Sequence, residues 1–125
     1  MSGKQAFFMQ RLNDHIQYLD KVTRTIKGKM EFAGTDCHCC KLGQWIYAEG
    51  REEVSLYAPA AMPLFEQLVD KHEEFHVISN TILAQFHAGD ISQIHQEMTE
   101  VHKLSSQLVS ILLDIDRYSR QSTAA

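Results

Sequence analysis

The sequence predicts an all-α protein, an antiparallel four-helix bundle containing one short helix, and three observations carry that reading. Apolar residues recur at alternating steps of four and three in three long segments, the spacing of a buried helical seam. No stretch alternates apolar and polar residues as a half-buried strand does, and glycine or proline separates the segments. With 125 residues, 44% hydrophobic and 22% charged, residues 1–125 read as one domain that is large enough to build a core without disulfides.

The first seam runs through Phe8, Leu12, His15, Leu19, Val22 and Ile26. The periodicity lapses between Gly28 and Asp36, and Gly34-Thr35-Asp36 reads as a loop leading into Cys37-His38-Cys39-Cys40. A short helix follows over Leu42–Ala48, stopped by Gly50. Pro63 suits the first turn of the next helix, whose seam is Phe65, Val69, His72, His76, Ser79, Leu83 and Phe86. Gly89 ends it, and Asp90 with Gln93 forms a capping box for the last helix. That helix has the seam Ile91, Ile94, Met98, Val101, Ser105, Leu108, Leu112 and Ile115, in which Ser105 is the polar interruption.

Charge and hydropathy exclude several classes of partner. Twelve Lys and Arg against sixteen Asp and Glu give a formal charge of −4, and no basic cluster tracks a phosphate backbone, so nucleic acid is not expected. The apolar runs fall far short of the roughly 20 residues that cross a bilayer, so no membrane insertion is expected. Ala6-Phe7-Phe8-Met9 is too short for a signal-peptide core. A cytoplasmic location follows as an expectation, and in that reducing compartment the three cysteines read as thiols or metal ligands.

Three of the seven histidines, His15, His72 and His76, occupy core positions of two seams. A buried imidazole without a partner costs about 1–3 kcal/mol, so three together need a compensating interaction. His72 and His76 are four apart and share one helix face, where a single metal ion can bridge them. His15 can supply a third nitrogen, and a fourth ligand can come from Cys37, His38, Cys39 or Cys40. Imidazole and thiolate together suit zinc. Asp14, Asp70, Glu73 and Glu74 are near enough in sequence to orient the rings. His95 and His102 read as surface histidines.

His72-Glu73-Glu74-Phe75-His76 also satisfies His-Glu-x-x-His, the pattern of zinc metallohydrolases in which the glutamate is the general base. Against hydrolysis, no Gly-x-x-His continuation follows, and His15 with a cysteine closes a shell that a catalytic zinc must leave open. Not an enzyme, and no catalytic residues, is therefore the expectation. A third class is a zinc-stabilised structural adaptor, with Phe7, Phe8, Ile46 and Tyr47 as candidates for its partner surface.

His15-Ile16-Gln17-Tyr18, Cys40-Lys41-Leu42-Gly43-Gln44-Trp45, and His72 with His76 together resemble the signature of chemoreceptor zinc-binding (CZB) domains. The resemblance implies Zn2+ as cofactor and His15, Cys40, His72 and His76 as its ligands. It further implies a four-helix bundle that self-associates, here as a homodimer, and that adjusts a chemotaxis receptor or a diguanylate cyclase of cyclic-di-GMP signalling. Cys37 lies three residues from Cys40, the spacing of redox pairs, so oxidation of Cys40 resolved by Cys37 or Cys39, with zinc release, is the expected redox chemistry. The signal on this reading is zinc availability or an oxidant.

Overall fold

The computed structural model describes residues 3–124, with side chains described from 8 to 121. Its first helix, α1 (Gly3–Ile26), buries Phe8, His15, Tyr18 and Val22. A loop over residues 27–40 delivers the chain to α2 (Lys41–Trp45), which passes through a π-helical turn, Ile46–Gly50, into α3 (Arg51–Tyr57). A 3-10 turn (Pro59–Ala61) leads to the long helices α4 (Met62–His87) and α5 (Ile94–Ala124). α4 and α5 pack on each other most extensively, α1 lies along α5, and α2 closes against α1, so the described residues form an all-helical bundle without strands.

The predicted seams are largely those that are buried, but α4 buries more than its seam. Leu68, Phe75 and Ile82, spaced by seven, are 0% exposed alongside His72 and Leu83. A helix packed on one side needs one stripe; α4 is covered by α5, by α1 and by α3, so its apolar arc widens. Val69 and Phe86, at the margins of the seam, are only half-buried.

Gly50 does not stop the short helix. Its backbone is helical, with φ −58° and ψ −50°, and the chain continues into α3. The constraint on Gly50 is space: a Cβ there would stand 2.8 Å from the Trp45 carbonyl oxygen and 3.3 Å from Cε1 of Phe65. Trp45 is the anchor of this region, 2% exposed, edge-on to Phe8 and to Phe65 at 6.0 and 6.1 Å, with its indole N–H donating to Glu53 at 3.2 Å. The π-turn between Trp45 and α3 is the irregularity by which one helical segment holds both the Trp45 anchor and the buried Val54 against the bundle.

The capping box at Asp90 does not form. Asp90 Oδ1 accepts from the backbone N–H and the hydroxyl of Ser92 (3.4 and 3.0 Å), a local turn that satisfies the carboxylate before any helix starts. α5 begins at Ile94, and Ile91, a predicted seam residue, is 65% exposed. Phe8 and Ile46, candidates for a partner surface, belong to the core at 1% and 4% exposure, whereas Tyr47 is exposed; the side chain of Phe7 lies outside the described residues.

Gly50→Ala is expected to cost about 1–3 kcal/mol, because the added methyl must displace backbone rather than a flexible side chain. Urea denaturation measures it; a loss below about 0.5 kcal/mol would show that the segment yields freely.

Candidate metal centre

Cys40 is fixed by the backbone before any metal is considered. It stands at the N-cap of α2 in extended conformation, φ −75° and ψ 160°, and its sulfur accepts from the N–H of Gly43 at 3.2 Å. The turn is tight: a Cβ on Gly43 would lie 1.7 Å from the Cys37 carbonyl oxygen and 3.2 Å from Cε1 of His72. The Leu-Gly step after Cys40 therefore lets the turn close around the sulfur and lets the His72 ring approach it.

α4 presents His72 and His76 on one face with ring centroids 4.7 Å apart. Nε2 of His72 is 3.2 Å from Sγ of Cys40. Cys40, His72 and His76 each offer one ligand atom to a group whose atoms all lie within 4.8 Å of one another, and all three residues are buried. Nδ1 of His72 is buried with no hydrogen-bond partner among the described residues. An imidazole that is 0% exposed with an orphaned ring nitrogen stabilises the apolar core less than leucine would. The soft sulfur beside imidazole nitrogen is the donor chemistry of zinc, so the residues present fit that ion.

The Thr35 carbonyl aims His76. It accepts from Nδ1 of His76 at 3.0 Å and from the Asn80 side-chain amide at 2.9 Å. Nδ1 therefore carries the proton and Nε2 keeps its lone pair, as a metal ligand requires. Tyr18 from α1 clasps the same residue, accepting the Thr35 N–H at 2.9 Å, and its ring lies against that of His76 at 4.7 Å. Gly34, at φ +85°, provides the left-handed step that leads into Thr35.

His15 is 2% exposed and packs edge-on against Phe75 at 4.7 Å. Its Nε2 meets the Ser105 hydroxyl of α5 at 2.9 Å, and the residue stands outside the compact three-residue group. Burial pushes the His15 pKa down to about 4, helped by His76, and that of His72 down to about 3, helped by His76 and His15. His76 is also lowered by burial, against the Thr35 hydrogen bond. Burial raises the Cys40 thiol, opposed by the N–H groups of Gly43 and Leu42. At neutral pH the pocket thus holds three uncharged imidazoles.

The acidic residues expected to orient the rings do not reach them. Asp14 is engaged by Gln10 at 3.0 Å and Arg11 at 3.2 Å, Glu74 pairs with Lys71 at 3.6 Å, and exposed Glu73 accepts from the Tyr47 hydroxyl at 2.6 Å. Asp70 is exposed, as are His95 and His102. The groups that do orient the rings are the Thr35 carbonyl and the Ser105 hydroxyl. Ser105 had a sequence signal, as the polar member of an apolar seam; a backbone carbonyl has none. Cys37 is half-buried and Cys39 exposed, both as free thiols outside this group.

Residues 15–83, more than half of the chain, match the family model of the chemoreceptor zinc-binding domain. The chain belongs to that CZB family. The matched stretch starts at His15 and takes in Cys40, His72 and His76, so a zinc-binding, chemoreceptor-associated domain is what the family and the buried group jointly describe. No curated protein and no solved structure gives a significant match. No described helix of this CZB domain is long and apolar enough to cross a membrane.

The lowered histidine pKa values set a pH dependence for the metal-free CZB domain. Between the ordinary imidazole value of 6.5 and the folded values of about 4 and 3, the unfolded chain binds more protons than the folded one. Stability is therefore expected to fall as pH drops below about 6.5, and His72→Gln should make that slope shallower. Denaturant midpoints at stepped pH read this; an unchanged slope in the variant would contradict the burial of His72.

Proposed function

We propose that this chain is a sensory domain that holds zinc through His15, Cys40, His72 and His76 and that metal occupancy adjusts a bacterial signalling output. The observation that carries it is the buried convergence of the Cys40 sulfur with the ring nitrogens of His72 and His76. His15 completes the set from α1, where the Ser105 hydroxyl, 2.9 Å from Nε2, fixes the ring. Zinc, when bound, supplies a tetrahedral centre with no redox chemistry of its own.

The four residues come from α1, the N-cap of α2 and α4, so holding one ion joins three separate elements. Small zinc sites are worth about 10–16 kcal/mol of apparent free energy, comparable to the whole stability of about 5–15 kcal/mol of a small domain. Occupancy is thus large enough to set how α1 docks on α4, and that docking is the change a partner reads. A chemoreceptor or a diguanylate cyclase is the partner class, and the working form is a homodimer in the cytoplasm. The family is a sensory one, and Glu73, turned to solvent and bonded by Tyr47, is poorly placed to serve as the general base of a hydrolase.

A redox input is favoured by one further contact. The Cys40 thiol points at the Cys37 carbonyl at 3.7 Å, so both cysteines share one tight turn. The Cys40 thiolate attacks hypochlorous acid and becomes a sulfenic acid as chloride leaves with the electron pair. The thiol of Cys37, or of Cys39, then displaces hydroxide from that sulfur, giving a disulfide and one water. Cys40 loses its ligand electron pair, and the site releases its ion.

Elemental mass spectrometry on the full chain, native and Cys40→Ala, before and after mild hypochlorous acid, tests both levels. About one tightly held zinc per native chain is expected after dialysis, reduced in the variant and released by the oxidant with loss of free thiols. Protein that cannot be loaded with zinc would overturn the zinc reading. Zinc and thiols both retained after oxidant would overturn the redox input, and circular dichroism and oligomer size unchanged by chelation would overturn the switch.

A further inference from the structure

Beside the buried group lies a second cluster of metal-binding side chains, on the turn that precedes Cys40. Asp36 and His38 are exposed and Cys37 is half-buried, and one carboxylate oxygen, one sulfur and one imidazole nitrogen from them lie within 4.8 Å of one another. Sγ of Cys37 is 3.6 Å from Nδ1 of His38, and that nitrogen is 2.7 Å from Oδ1 of Asp36. Two donors on one tetrahedral zinc stand about 3.3–3.8 Å apart, so the sulfur and nitrogen already have that bite; rotation of the exposed carboxylate, with the ring proton carried on Nε2 instead of Nδ1, frees the nitrogen lone pair and opens the third donor. The Asp36 carboxylate also accepts the His38 N–H at 2.8 Å, which accounts for the turn but not for the ring. The His38 ring is stacked on Tyr47 at 4.1 Å, and the Tyr47 hydroxyl stands 3.8 Å from the Cys37 sulfur while donating to Glu73. Tyr47 therefore holds the imidazole and the thiol toward the same point.

We propose that Asp36, Cys37 and His38 form an outer zinc site that takes the ion from solution and passes it to the buried group. The inference rests on the reading of Cys40, His72 and His76 as the inner site. Carboxylate, thiolate and neutral imidazole together balance the charge of a divalent zinc, and their exposure makes them the first donors that the ion meets. The two groups adjoin twice: the Cys37 carbonyl contacts the Cys40 thiol, and Glu73, bonded by Tyr47, is the chain neighbour of His72. In the transfer Asp36, Cys37 and His38 release their bonds to the ion as Cys40, His72 and His76 form theirs. On loading, the Cys37 thiol gives its proton to water; in the transfer, the proton leaving the Cys40 thiol is balanced by the one that the freed Cys37 thiolate takes up. One proton is thus released to solvent per zinc delivered, with no change of oxidation state.

Cobalt(II) titration of the metal-free full chain, read by thiolate-to-metal absorption, with stopped-flow uptake of zinc, tests this. The unmodified chain should bind about two equivalents, one tight and one weaker. Cys37→Ser with His38→Gln should lose the weaker equivalent, keep the tight one, and load zinc at least about tenfold more slowly. Asp36→Asn, a second exposed change, should weaken the same equivalent. His72→Gln with His76→Gln should keep the weaker equivalent and its sulfur absorption. One equivalent in the unmodified chain, two in the Cys37/His38 variant, or an unchanged loading rate would overturn the proposal while leaving the inner site standing. A tight equivalent surviving loss of His72 and His76 would instead overturn the inner site.

Discussion

Burial of uncharged imidazole next to a thiol is the constraint on which the rest of this bundle depends. A ring such as His72, wholly enclosed with one nitrogen lacking a hydrogen bond, lowers stability relative to any aliphatic side chain of its size. The surrounding structure keeps it there by fixing what faces it. The α2 N-cap turn presents the Cys40 sulfur, Gly43 gives the turn its clearance, and Trp45 holds the short segment down against Phe8 and Phe65. The same loop folds back so that Thr35 meets His76 and Asn80. Elements that look like ordinary connection, the loop and two short helices, are the part of the fold that builds the centre.

The centre is also where the helices are coupled. Tyr18 of α1 bonds to Thr35, which bonds to His76 of α4, and His15 of α1 bonds to Ser105 of α5. At His76 the nitrogen that donates to Thr35 leaves the other with its lone pair, so position and protonation state are set together. The Cys40 sulfur itself meets His72 of α4 at 3.2 Å inside this closely packed interior. Such interiors shift between discrete arrangements rather than deform gradually.

How much of this was legible in the sequence depended on the kind of signal. The seams of α1, α4 and α5 were readable because burial on a helix repeats, and the anomalous members of those seams, His15, His72, His76 and Ser105, each proved to be buried polar groups. The resemblance around Cys40-Lys41-Leu42-Gly43-Gln44-Trp45 was readable because a tight turn needs that glycine. Gly50 misled because a glycine that removes a steric clash and one that ends a helix look alike in sequence. Asp90 misled because its side chain bonds locally at Ser92 rather than at a helix end. The carbonyl of Thr35 was invisible, since any residue supplies one, and so was the pairing of Tyr47 with Glu73, which joins two helical segments far apart in the chain.

Zinc K-edge X-ray absorption on the loaded protein, at one equivalent so that only the tighter site fills, tests the central claim most directly. One sulfur neighbour at about 2.3 Å and three nitrogen neighbours at about 2.0 Å are predicted, from Cys40 with His15, His72 and His76. A first shell of oxygen and nitrogen without sulfur, or one with two or more sulfurs, would contradict it.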